Sequence, residues 1–99
     1  MKGELVMLID DVMYITGQGV VALGRIQNAS IKIGDTIIID PEYTTEITAE
    51  VKQIEAFRKK LKIAEPEQYV GLILQGVEKK DLKKKMKVYI NKNESEYQR

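Results

Sequence analysis

The stretch Asp11 to Ile26, DVMYITGQGVVALGRI, restricts the fold more than any other part of the chain. An apolar, β-branched run leads into Thr16-Gly17-Gln18-Gly19, and a second run of the same character follows from Val20 to Ile26. β-branched side chains favour extended backbone, and glycines supply the positive φ that tight reversals need, so the stretch reads as two antiparallel strands joined by a turn. The same letters approach a dinucleotide fingerprint, Gly-x-Gly-x-x-Ala from Gly17 to Ala22, with Asp40 about 20 residues on where a ribose-binding acid would sit. That chemistry demands a helix starting at Gly19, because N-terminal amides hold the pyrophosphate. The β-branched start of VVALGRIQNASIKIGD, then Gly24, the Asn28 to Ser30 break and Gly34, leave no room for one. A P-loop is weaker still, since no Gly-Lys-Ser or Gly-Lys-Thr is present to grip phosphates and magnesium. A nucleotide-dependent enzyme is therefore the least supported function class.

Further strands are expected along the chain. Leu5 to Ile15 is one apolar run around Asp10-Asp11, and Thr36 to Asp40 is a β-branched run between the Gly34-Asp35 turn and Pro41. Gln68 to Val77, QYVGLILQGV, reads as a buried strand, and Val88 to Ile90 as a last short one. Between Glu46 and Glu65 the spacing of Ile47, Val51, Ile54 and Leu61 predicts a helix by periodicity alone. Glu78 to Lys87, EKKDLKKKMK, predicts one or two helical turns with Leu82 and Met86 on the apolar side. Residues 1–90 are expected to form one domain, and Asn91 to Arg99 a polar, frayed tail.

Composition removes most catalytic chemistry. The 99 residues contain no cysteine and no histidine, which excludes thiol nucleophiles and disulfides and takes away the commonest metal ligand and general base. No catalytic residue, metal site or cofactor is expected. The formal charge is only +1, so any electrostatic attraction to a polyanion must be local. No apolar run approaches a membrane span, and Met1-Lys2-Gly3 leads into a strand pattern rather than a signal peptide, so the expected location is cytoplasmic.

Four blocks then carry a family resemblance: DVMYITGQGVVALGRI, Ile31 to Asp35 (IKIGD), Val51 to Leu61 (VKQIEAFRKKL) and Val70 to Met86 (VGLILQGVEKKDLKKKM). In this order, from about Leu5 to Ile90, the chain resembles the second domain of elongation factor Tu and its translational GTPase relatives. The resemblance implies an all-β fold, a closed Greek-key β-barrel of about six strands. It replaces the helix over Thr48 to Arg58 by a strand, with a bulge near Glu55 absorbing the off-period spacing.

It also implies a function: a non-enzymatic module that helps hold the 3′ end of tRNA, with ribosomal RNA or a protein partner such as a GTPase as further expected contacts. Carried over residue by residue, Ile15, Gly17, Val21, Glu55, Arg58 and Ile73 match the pocket for the terminal adenosine, and Asp10 and Asp11 match acidic residues near the aminoacyl group. Apolar walls can sandwich a base while a carboxylate and a guanidinium meet sugar, base edge or phosphate. Lys79, Lys80, Lys83, Lys84, Lys85 and Lys87 form a candidate phosphate-contacting cluster. Departures from the pattern are Gln18 and Gln75 in place of arginines, Met13 of an aromatic, Leu23 of a threonine, Leu8 of a proline, and Glu67 and Lys85 of turn glycines.

Plainer roles stand beside each assignment. Ile15, Val21 and Ile73 suit any barrel of this kind, and Gly17 and Gly19 serve the turn. Glu55 and Arg58 suit a cross-strand ion pair, and the lysines a solvated edge. Tyr43, Tyr69, Tyr89 and Tyr97 are too dispersed for a stacking platform. A second function class, a protein-interaction domain without RNA binding, follows from the loss of the two arginines.

Overall fold

The structure is a computed structural model and describes residues 3–40 and 45–90. Tyr43, Tyr97 and the expected tail over Asn91 to Arg99 lie outside the described residues. The described chain is all-β: ten strands and a single 3₁₀ turn, Lys79–Asp81. The strands are β1 Glu4–Leu8, β2 Asp11–Ile15, β3 Gly19–Arg25, β4 Ile31–Lys32, β5 Thr36–Asp40, β6 Ile47–Ala56, β7 Lys59–Leu61, β8 Ile63–Ala64, β9 Tyr69–Gln75 and β10 Lys87–Ile90. The number exceeds the expected six because β4, β7 and β8 are very short and the Leu5 to Ile15 run splits in two. No helix of the described residues is long and apolar enough to cross a membrane.

Hydrogen bonding orders the main sheet β1-β10-β5-β6-β9-β3-β2, with β7 added on β6; β4 and β8 form a separate pair. Every pairing is antiparallel. The two edge strands, β1 and β2, are consecutive in the chain and only Ile9 and Asp10 separate them. Two residues reach at most about 7 Å, so the sheet curls enough to bring the end of β1 close to the start of β2. The joint is explicit: the Ile9 N–H donates to the Met86 carbonyl at 2.9 Å, on the β10 side, whereas the Asp10 N–H donates to the Leu23 carbonyl at 2.7 Å, on β3. Gly24 sits where β1 crosses β3, and a Cβ there would stand 2.6 Å from the Leu8 carbonyl oxygen.

Inside the curl lies one core, in which Met7, Ile26, Ile37, Ile54 and Leu72 are fully or almost fully buried. β5 shows why its residues make a strand: Ile37 and Ile39 turn inwards and Ile38 does not, the period of two expected of a sheet with one solvated face.

The helical periodicity read between Glu46 and Glu65 is overturned, and β6 supplies the reason. Ala49, Val51 and Ile54 are its core residues, and the register against β9 shifts between Val51 and Gln53. One extra residue, Lys52, turns the i, i+2 period into an i, i+3 step that resembles a helix. The bulge therefore lies at Lys52, three residues before the expected position near Glu55. Strand β6 also ends at Ala56, so Phe57 and Arg58 are not strand residues. In Glu78 to Lys87 only the short 3₁₀ turn forms, but Leu82 is buried and Met86 packs on the core as the pattern requires.

Candidate functional site

The carried-over residues belong to four adjacent strands, β2, β3, β9 and β6, and to the turns at their ends. Cross-strand partners share a face, so the register lays out the surface row by row. One row runs Met13, Val21, Ile73, Gln53; the next runs Asp11, Leu23, Gly71, Glu55 and, on β7, Lys60. Val20, Ala22, Leu72 and Leu74 belong to the core; Val21 and Ile73, between them, face the other way. They are nevertheless only 4% and 2% exposed. These two residues form an apolar floor on the outer face of the sheet, rimmed by Met13 and Ile15 at 41% and 36% exposure.

Gly71 shapes that floor. A Cβ at this position would meet Val21 Cγ1 at 3.0 Å and Leu23 Cδ2 at 3.2 Å, so its absence lets both side chains settle over the strand.

The turns at the two ends are built differently. At the Ile15 end the Gln18 N–H donates to the Ile15 carbonyl at 2.9 Å, and Gly17 adopts φ +87° at the third position of the turn. At the far end, Ala56 pairs with Lys59 across a two-residue loop in which Phe57 and Arg58 both have positive φ, +52° and +67°. Such loops normally hold Asn-Gly, because side chains clash in the left-handed region. Here they hold an almost fully exposed phenylalanine, at 91%, and an exposed arginine.

Of the six expected pocket residues, Ile15, Val21, Ile73 and Glu55 thus share one face, while Gly17 and Arg58 flank it at opposite ends. The ion pair that would explain Glu55 and Arg58 structurally does not form: among the described residues neither side chain has an ion-pair or hydrogen-bond partner. Asp10 and Asp11 stand at the β1–β2 joint. The Tyr69 hydroxyl donates to Asp10 Oδ2 at 2.6 Å, and the Val12 N–H donates to Asp11 Oδ1 at 2.9 Å. The bond to Asp10, then burial, then the charges of Asp10 and Asp11 raise the Tyr69 hydroxyl pKa, with Arg25 opposing.

The lysine cluster occupies the 3₁₀ turn and the chain leading into β10, beside β2. Lys79, Lys80, Lys83, Lys84, Lys85 and Lys87 are all exposed. Lys80 pairs with Glu78 at 3.5 Å, and Asp81 accepts the Glu78 N–H at 2.9 Å. Among the described residues no group of three or more acidic side chains could hold a metal ion. Sequence reasoning missed the exposed Phe57 and the Tyr69–Asp10 bond. The Phe57-Arg58 loop had a signal, the polar run Arg58-Lys59-Lys60, but the Tyr69–Asp10 bond joins residues 59 apart and had none.

The family described as Elongation factor Tu domain 2 matches residues 19–85. An elongation factor 1-alpha from Desulfurococcus mucosus is 42% identical over 76 residues, which is 77% of this chain and 17% of that protein. The chain thus spans about a sixth of the length of the relative it matches. With β3, β6, β9 and the 3₁₀ turn all inside the matched segment, the chain belongs to the elongation factor Tu domain 2 family.

Proposed function

We propose that this chain is a non-catalytic RNA-binding module of the translation apparatus, with residues 1–90 forming one closed Greek-key barrel and the outer face of β2-β3-β9-β6 receiving the 3′ end of tRNA. The two-residue joint between β1 and β2 supports the closed barrel. One observation carries the function: Val21 and Ile73 are buried outside the core, beside a glutamate and an arginine that no intramolecular bond uses. An apolar floor suits a base, whose faces stack on any flat apolar surface, and Glu55 and Arg58 suit its edge, ribose or phosphate. The absence of cysteine and histidine takes away the thiol nucleophile and the commonest general base, which supports a binding role. A cytoplasmic location goes with such a role. Titration of fluorescently labelled tRNA tests the reading. Glu55→Gln and Arg58→Gln are each expected to weaken binding about tenfold, the effect of losing one charge-assisted hydrogen bond, with no change in melting temperature. Failure of the unaltered chain to bind tRNA at low salt refutes it.

A second reading, contact with a protein such as a GTPase domain, is favoured by β2. This edge strand pairs on one side only and carries Met13, Tyr14 and Ile15 at 41%, 61% and 36% exposure. Tyr14→Lys would then abolish capture of the partner domain and leave RNA affinity unchanged. The lysines from Lys79 to Lys87 fit best as a solvated flank beside that edge. Their assignment as phosphate contacts would require the salt dependence of RNA binding to fall in K79Q/K83Q/K84Q.

A further inference from the structure

We infer that Lys52, Lys60 and Lys62 form a phosphate-binding rim along the β6–β7 side of the outer face, which holds the backbone of a single-stranded RNA end whose base lies on the Val21–Ile73 floor. The inference rests on the RNA reading above and adds to it the residues that hold the backbone.

The rim follows from register. Lys60 stands opposite Glu55, the outer-face residue of β6, while the neighbouring pair, Leu61 and Ile54, turns inwards. Lys62 is exposed in the bend between β7 and β8, where its carbonyl accepts the Ile33 N–H at 3.1 Å. Lys52 is the extra residue of the β6 bulge. Val51 and Ile54 take the core positions, so Lys52 and Gln53 are both left outside. All three lysines are exposed, and among the described residues none of them is neutralised by an ion pair. Glu55 lies in the cross-strand position to Lys60 and makes no bond to it.

Asp11 ends the row that Lys60 begins, and Asp10 adjoins it. Within this row the carboxylates stand at the β2 end and the rim at the β6–β7 end, with the apolar floor between; the exposed Lys79 to Lys87 lie beside β2, outside the row. The rim also supplies, from another strand, cationic character that Gln18 and Gln75 do not provide.

Binding of a short, labelled single-stranded RNA ending in CCA, followed from about 50 to 200 mM salt, tests the rim. Each phosphate contact to a single strand contributes about 0.7 to the slope of log affinity against log salt, so K52Q/K60Q/K62Q should lower the slope by about 2. Its melting temperature serves as the control for folding, since all three positions are exposed. An unchanged slope in a folded K52Q/K60Q/K62Q, while the unaltered chain binds, overturns the rim and leaves the RNA reading standing. An equal loss of slope from K79Q/K83Q/K84Q shows that total charge, not position, governs binding and likewise overturns it. If the unaltered chain binds no RNA, the reading beneath fails and the rim with it.

Discussion

At the scale of single residues, backbone conformation and close approach decide what each position tolerates. Glu67 and Lys85 occupy positive φ, +82° and +77°, at the two positions where the resemblance places turn glycines. An L side chain in that region costs roughly 1–2 kcal/mol, partly offset by the greater chain entropy that glycine loses on folding. Glu67→Gly and Lys85→Gly are each expected to stabilise the fold by about 0.5–1 kcal/mol, measured by urea unfolding. Gly24 is the reverse case, because the atom it would strike is the Leu8 backbone oxygen, which cannot move aside as a side-chain tip can. Gly24→Ala should cost about 3 kcal/mol or more, at the upper end of overpacking effects, seen as a large fall in melting temperature. Tyr69 gives a pH signature. Its hydroxyl pKa is raised in the folded chain, chiefly by donation to Asp10. The stabilisation is therefore complete below the unfolded value near 10 and is lost as pH rises through the higher folded value. Urea midpoints from neutral to strongly alkaline pH should fall more steeply for the unaltered chain than for Tyr69→Phe, and parallel curves would show that the bond carries no stability.

Elements show where sequence pattern suffices and where it does not. The β2–β3 hairpin is legible because glycines at a reversal between β-branched runs leave no competing structure. β6 is not legible from period alone, since its bulge at Lys52 shifts the core positions and imitates a helix; only the four-block resemblance restores the strand. The outer-face burial of Val21 and Ile73 was equally hidden. Alternation assigns a side chain to a face but does not say what covers it, and that depends on three neighbouring strands. The β6–β7 loop invites a test at this scale. Replacing Phe57-Arg58 by Asn-Gly supplies residues suited to both positive φ values and should stabilise the hairpin by roughly 1–2 kcal/mol. If the exposed side chains at this loop are kept for binding, the same replacement weakens RNA affinity while the melting temperature rises. A change of both in the same direction would count against that trade.

For the whole molecule, the decisive feature is that the sheet's two edges are joined through Ile9 and Asp10, which orders a path of seven strands into a curl around one core. Ile9 is 1% exposed and bonded on both sides, to Met86 and to Lys85. Ile9→Ala should therefore cost about 2–5 kcal/mol, the range for emptying a fully buried position, and a urea titration would reveal it as a lower midpoint. Another pairing has a mechanical meaning. Glu4, which begins β1, is paired with Ile90, which ends β10. Tension applied at these two points would load the β1–β10 ladder from one end and open its hydrogen bonds one after another, as a zip opens, instead of straining them all at once. A domain held this way yields to a small pull and lets neighbouring polypeptide enter and leave at a single point of its surface.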